Sequence, residues 1–180
     1  MIQLMPFERS DFKQLMEWLN EESLLIKWSG NLFSFPLTEE SLEWYIEDTN
    51  DPETSDAFVF KVVESETGEA IGHISLGSIS RKNRSGRISR VLIGNKEARG
   101  KGYCPAMIRA VSKIGFEVLQ LHRISLGVYD NNKEAVRCYQ KAGYSIEGIN
   151  RDVLLFNNEW LSLIEMSMLE NEWRELNPRS

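Results

Sequence analysis

Apolar positions along the chain follow a helical period first, then an alternating one. Phe12, Leu15, Met16 and Leu19 recur at helical spacing, and Leu24, Leu25 and Trp28 resume it after Glu21-Glu22. This predicts two short helices or one broken one, with Ser10 able to cap the start. Ahead of them Ile2, Leu4 and Phe7 suggest a first strand, closed by Pro6 and the polar Glu8-Arg9-Ser10. Gly30-Asn31 interrupts the helical pattern, and Phe33-Ser34-Phe35-Pro36 reads as a loop. Thr38 is placed to cap a further helix carrying Leu42, Trp44, Tyr45 and Ile46, which Asn50-Asp51-Pro52 stops.

From Ala57 the period becomes two. Strands are predicted over 58–63 and 70–79, joined at Glu66-Thr67-Gly68-Glu69, and over 87–94 after the basic turn at Asn83-Arg84-Ser85-Gly86. Next comes the best-defined helix, with Tyr103, Met107, Val111, Ile114 and Val118 at spacings of four and three and Pro105 in its first turn. A fifth strand over 124–128 follows a helical crossover, so it should run parallel to the fourth. Asn131 or Asn132 caps a helix with the stripe Ala135, Val136, Tyr139 and Ala142, and Gly143 stands where it should end left-handed. Two strands flank Asn157-Asn158, the last placing Trp160, Ile164, Met166 and Met168 on one face. The fold class is therefore α+β, or mixed α/β: a mostly antiparallel sheet with strands four and five parallel.

Composition narrows the class without changing it. The 180 residues suit a single domain, 1–180, and 42% apolar with 27% charged residues is ordinary for a globular protein. No leader pattern opens the chain and no run nears the roughly 18 apolar residues of a membrane span, so a cytoplasmic, soluble protein is expected. Cys104 and Cys138, with His73 and His122 the sole histidines, lack zinc-type spacing; no metal and two reduced thiols are expected.

Charge is uneven. Residues 1–80 carry 4 Lys/Arg against 16 Asp/Glu, residues 81–101 carry 8 against 1, and the remainder 9 against 10. The cationic stretch has few interleaved aromatics, so a small polyanion is expected rather than nucleic acid, with a solvated hairpin at Arg81-Lys82-Asn83-Arg84 as the simpler alternative. Within that stretch Arg99-Gly100-Lys101-Gly102-Tyr103-Cys104 joins the fourth strand to the long helix. Unpaired N–H groups and the dipole of a helix start favour an anion, glycines at positive φ let it approach the main chain, and Arg99 and Lys101 add charge. A diphosphate fits, although glycine-rich turns with exposed charge also occur without a ligand.

Two blocks carry a resemblance. Arg99-Gly100-Lys101-Gly102-Tyr103-Cys104 is similar to the phosphate loop Arg/Gln-x-x-Gly-x-Gly/Ala of the GNAT superfamily of N-acetyltransferases, matching at Arg99 and Gly102 and departing at Cys104. Residues 132–144 resemble the family's Asn-x-x-Ala-x-x-x-Tyr-x-x-x-Gly-Phe at Asn132, Ala135, Tyr139 and Gly143, with Tyr144 in place of Phe. The order of elements looks like the branch of ribosomal-protein N-terminal and spermidine acetyltransferases. The resemblance implies a twisted sheet of about seven strands with flanking helices.

The resemblance also implies direct transfer of an acetyl group from acetyl-CoA to a primary amine: a polyamine-like or drug amine, or a protein N-terminus. Backbone groups of Leu92, Ile93 and Gly94 should pair with the pantetheine arm, residues 99–104 should hold the pyrophosphate, and Asn132 should bond the amide arm or cap its helix. Tyr139 occupies the position of the general acid. Some relatives carry a Glu five residues before the Asn; here that residue is Gly127, and among His73, Asp152 and Glu165 no base is assigned. The acidic first 80 residues, with Trp18, Trp28, Phe33, Phe35, Trp44 and Tyr45, could form a wall attracting a cationic amine, or be ordinary core and surface. The alternative function is a CoA-binding regulatory or scaffold domain with weakened catalysis. No nucleic acid or membrane partner is expected, and a homo-oligomer is possible.

Overall fold

The computed structural model describes residues 1–178, which form seven strands in one sheet and six α-helices. The strands are β1 (Ile2–Pro6), β2 (Phe58–Glu64), β3 (Ala70–Ser80), β4 (Ser85–Ile93), β5 (Arg123–Tyr129), β6 (Ser145–Phe156) and β7 (Glu159–Leu169). The helices are α1 (Phe12–Trp18), α2 (Glu22–Ser29), α3 (Glu39–Ile46), α4 (Tyr103–Lys113), α5 (Lys133–Lys141) and α6 (Glu170–Leu176). Strand order is β1-β2-β3-β4-β5-β7-β6, with β4 and β5 parallel from Ser85 opposite Arg123 to Ile88 opposite Leu126. This is the expected mixed sheet.

The residues cluster into two compact units, and β3 and β4 each run through both. The first comprises Met1–Gly77 and Ser89–Tyr103. Here β1 pairs antiparallel with β2, and β2 with β3, while the apolar faces of α1, α2 and α3 bury Phe12, Leu15, Leu25, Trp28 and Leu42. Thr38 caps α3 as expected, its Oγ1 accepting from the Ser41 N–H at 3.3 Å. Ser10 does not cap α1. It lies inside a 3₁₀ turn, Arg9–Asp11, whose entry is fixed by the Glu8 N–H donating to Asp11 Oδ2 at 2.9 Å. Asp11 also accepts from Lys61 Nζ at 2.8 Å, pinning the turn to β2.

The second unit comprises Ser78–Ile88 and the chain from Cys104 onward. β5 and β6 both pair antiparallel with β7, and the β6–β7 hairpin turns at Asn157 and Asn158, both at positive φ (50° and 61°), as Asn-Asn allows. Ile164, Met166 and Met168 are buried, but Trp160, on the same face by parity, is 59% exposed toward the hairpin tip. The predicted stripe of α4 also fails at its end. After Lys113 the helix loosens into a π turn, Ile114–Val118, which rotates the face by a fraction of a turn and leaves Val118 66% exposed. α6, absent from the sequence reading, seats Trp173 against Phe116 (ring centroids 5.6 Å) with its Nε1 donating to Glu117 at 3.1 Å.

His73 lies in the first unit, 1% exposed, edge-on to Phe7 (4.6 Å) and Trp28 (5.4 Å), with Nε2 3.1 Å from the Tyr45 hydroxyl. Burial, reinforced by the Arg90 charge, lowers its pKa to about 3. The imidazole thus stays neutral when folded and takes a proton near pH 6.5 when unfolded. Its contribution to stability is fully present above pH 6.5 and is lost as pH falls toward 3. Urea unfolding between pH 6.5 and 5 should therefore show stability approaching a loss of about 1.4 kcal/mol per pH unit from this group. In His73→Asn that slope should largely vanish; an unchanged slope would refute the assignment.

Candidate active site

In the first unit the site is built at the carboxyl end of β4. Gly94 follows the strand, and its N–H donates to the Ile71 carbonyl at 3.0 Å. A Cβ at Gly94 would meet the Trp18 indole at 1.9 Å, so the ring of α1 packs flat against bare main chain there. Asn95 then starts a 3₁₀ turn, Lys96–Ala98, by accepting the Glu97 N–H at 2.9 Å. The loop Arg99-Gly100-Lys101-Gly102 leads into α4. Gly100 and Gly102 both take left-handed φ (75° and 79°), and the space where a Cβ would stand is open at each, so the backbone angle rather than crowding requires glycine.

This geometry fits a diphosphate: exposed main chain, a helix start, and two cations in the same five-residue stretch. Arg99 Nε donates to the Ile93 carbonyl at 3.3 Å, tying the cation to the strand end. Tyr103 bonds through its hydroxyl to Glu64 at the end of β2, and this bond, with a second from Thr67, holds the Glu64 carboxyl below the usual range. Tyr103 thereby fixes the loop instead of presenting its phenol to a ligand. Pro105, third in α4, sits where its missing N–H would have lacked an intrahelical partner.

Within β4, Arg90 has φ 52°, an uncommon angle for a residue with a side chain. Trp28 Nε1 donates to its carbonyl at 2.9 Å, and its guanidinium lies 5.3 Å from the Tyr45 ring centroid, so neighbouring side chains hold the distortion. Nothing in the local sequence signals this kink, because its cause is contributed by α2 and α3.

In the second unit Asn132 caps α5, its Oδ1 accepting the Ala135 N–H at 3.2 Å. Tyr139 lies two turns on, 6% exposed, and burial pushes its phenol well above the ordinary value near 10. It is fully protonated at neutral pH. Tyr144 is buried too, its hydroxyl 2.8 Å from Ser112 Oγ of α4. The expectation of two free thiols is wrong: Cys104, second residue of α4, and Cys138, immediately before Tyr139, form a disulfide with Cα atoms 6.1 Å apart. Both lie on helices whose packing was not legible from a spacing of 34 residues. By chain entropy, closing that loop is worth roughly 3–4 kcal/mol.

The candidate bases separate. His73 is sealed in the first unit's core. Asp152 is exposed in β6, at φ 53°. Glu165 is directly opposite Gly127 across β5 and β7, and both its oxygens accept from Arg87 of β4, at 2.8 and 3.2 Å. A Cβ at Gly127 would stand 2.5 Å from Arg87 Nη2. The aromatic wall also divides: Trp28 and Phe33 stack in the core (5.5 Å), whereas Phe35 and Trp44 are exposed by 44% and 59%. Acidic side chains of the first unit gather in an open concavity of about 570 Å³ lined by Glu47, Asp48, Asp51 and Asp56.

Residues 2–145 match the family model described as an acetyltransferase (GNAT) domain. The chain belongs to the GNAT family of acetyltransferases. It is 26% identical over 174 residues to the spermidine N(1)-acetyltransferase of Escherichia coli K12, covering 96% of this chain and 88% of that one. It is 31% identical over 106 residues to the putative ribosomal N-acetyltransferase YdaF of Bacillus subtilis, 59% of this chain and 57% of that protein. The crystal structure of the Vibrio cholerae spermidine N-acetyltransferase in complex with CoA and spermine shares the fold, with a TM-score of 0.80 at 24% identity over 96% of this chain and 97% of that one.

As a GNAT enzyme the chain is an acetyl-CoA-dependent N-acetyltransferase. Among the described residues no helix is long and apolar enough to cross a membrane, and no group of side chains is arranged to hold a metal ion. Gly94→Ala should drive a methyl into the Trp18 ring and displace the strand end. We expect a loss of about 1–3 kcal/mol in stability and weakened acetyl-CoA binding, read by thermal unfolding and calorimetry. Wild-type values in both would show that Trp18 yields without cost.

Proposed function

We propose that the chain transfers acetyl from acetyl-CoA directly to a cationic primary amine of polyamine type, residues 1–180 working as one acyltransferase domain in the cytoplasm. The observation that carries the chemistry is the buried, protonated Tyr139 on a helix begun by Asn132. Main-chain N–H groups at Gly100–Cys104, with Arg99 and Lys101, hold the pyrophosphate; the backbone of Leu92 and Ile93 serves the pantetheine arm, while the Gly94 N–H is already engaged by Ile71. When bound, acetyl-CoA supplies an activated thioester. Tyr139 donates its proton to the departing sulfur, and the desolvation that raises the phenol's pKa raises the thiol's as well, so the transfer stays matched.

Two features support a cationic acceptor: the acidic bias of residues 1–80, and near full-length similarity to spermidine acetyltransferases. The chain contributes no assigned base. An amine of pKa near 10 is about one part in a thousand neutral at pH 7, so activity should rise with pH through the acceptor's own titration.

The deciding assay offers spermidine, an aminoglycoside and a peptide bearing a free N-terminus, with thiol release as readout. Spermidine should give the highest kcat/KM; preference for the peptide would reassign the acceptor. CoA binding without any acetylated product would instead favour a regulatory domain. Tyr139→Phe should lower turnover about 10²–10⁴-fold with little change in CoA affinity, and a normal rate would remove Tyr139 from the mechanism. The double variant Arg99→Ala, Gly102→Glu should abolish CoA binding in calorimetry while circular dichroism stays native.

A further inference from the structure

We infer that the Cys104–Cys138 pair is a redox modification site through which thiol–disulfide exchange sets the rate of acetyl transfer; the inference rests on the acetyltransferase reading above. The bond joins two functional ends. Cys104 lies in the first turn of α4, directly after the phosphate-loop residue Tyr103, and Cys138 directly precedes Tyr139 and follows the cap Asn132 by six residues. One covalent link therefore fixes the start of the anion-binding helix against the turn that carries the proton donor.

The rest of the α4–α5 packing is held elsewhere. Tyr144 and Ser112 are hydrogen-bonded at 2.8 Å in a buried setting, and Arg109 Nη1 donates to the Lys141 carbonyl at 3.4 Å. These contacts, neither of which involves the cysteines, tie the later turns of α4 to the end of α5 and the residues just after it. Cys138 and Tyr139 lie in that same last turn of α5, so opening the disulfide frees the first turn of α4, and the loop leading into it, from the turn that carries Tyr139, while the other contacts stay in place. Proton donors and phosphate cradles tolerate displacements of only a fraction of an ångström, so the loosened state is the slower one.

The chemistry needs a reducing dithiol, a class of reactant that cells supply. Cys104 is half-buried and Cys138 is 7% exposed, so the incoming thiolate attacks Cys104 Sγ. The Sγ–Sγ bond breaks, Cys138 leaves as a thiolate and takes up a proton. The reagent's second thiolate then attacks the mixed disulfide, releasing the Cys104 thiolate, which is protonated, and closing the reagent's own disulfide. Two electrons and two protons pass to the protein, and the dithiol is oxidised by the same amount. In a cytoplasmic enzyme such a bond cycles with the thiol pool instead of serving as a permanent staple.

The test poises full-length protein in mixtures of reduced and oxidised dithiothreitol, counts protein thiols by alkylation and mass spectrometry, and measures acetylated spermidine by mass spectrometry at 25 °C. We expect kcat to fall about tenfold along the same curve as the disulfide fraction, to recover on reoxidation, and to be insensitive to poise in Cys138→Ser or, should serine fold poorly there, Cys138→Ala. A purely structural bond would lower the melting temperature and leave kcat unchanged; that result overturns the inference, as does failure of the two thiols to pair under oxidising poise. If neither state acetylates any amine, the acetyltransferase reading fails separately. The Kd for CoA in each state, by calorimetry, then decides the switch: weaker binding on reduction supports it, and equal values overturn it.

Discussion

The contact on which the first unit's functional end depends is a flat one, between the Trp18 indole and the main chain at Gly94. No residue with a Cβ can stand there unless the ring moves, because the added atom would overlap the indole. The consequence runs in both directions along the chain. Backward, Gly94 and Asn95 hydrogen-bond the Ile71 carbonyl, so the end of β4 is registered on β3. Forward, Asn95 opens the 3₁₀ turn that aims Arg99 back at Ile93 and sends the left-handed glycines into α4. Moving the indole would disturb the helix wall, the strand end and the glycine loop together.

Burial sets protonation in both units, with different outcomes. His73 is enclosed by rings and kept neutral, so its remaining role is to hold the Tyr45 hydroxyl; it is a packed polar group, not a base. Tyr45, buried beside it, is pushed up to about 12 and partly offset by Arg90, which keeps a cation against neutral partners in a largely apolar cluster. Tyr139 is likewise neutral by desolvation, and it directly follows the disulfide-bonded Cys138 on α5. The same physical effect thus yields a structural imidazole in one place and, in the mechanism we propose, a proton donor in the other.

Periodicity and capping made most elements legible. Thr38, Asn132, Gly143 and the Asn157-Asn158 turn work through local geometry, and local geometry is written in adjacent residues. The failures came from effects that no short window contains. The π turn after Lys113 preserves an apolar pattern while rotating its face, so Val118 looked like core. The Arg90 kink is imposed by Trp28 and Tyr45, the glycine requirement at Gly94 by Trp18, and the Cys104–Cys138 bond by the packing of two helices. In the candidate site, the loop and its two glycines were readable, whereas Tyr103 turned out to anchor the loop through Glu64.

Gly127 illustrates how an apparent loss follows from a neighbouring gain. An acid at this position would have to share space with the Arg87 guanidinium, since even a Cβ comes within 2.5 Å of Nη2. Arg87 crosses that gap to reach both oxygens of Glu165, the residue paired with Gly127 on β7, in a partly buried two-pronged ion pair. Such a two-pronged pair is directional and holds the Glu165 carboxylate toward β4. The carboxylate missing from β5 is therefore present on β7 in a structural role. With Glu165 engaged by Arg87, the mechanism we propose leaves deprotonation of the acceptor to solvent and to the amine's own equilibrium, which would tie the working range to the pKa of the substrate.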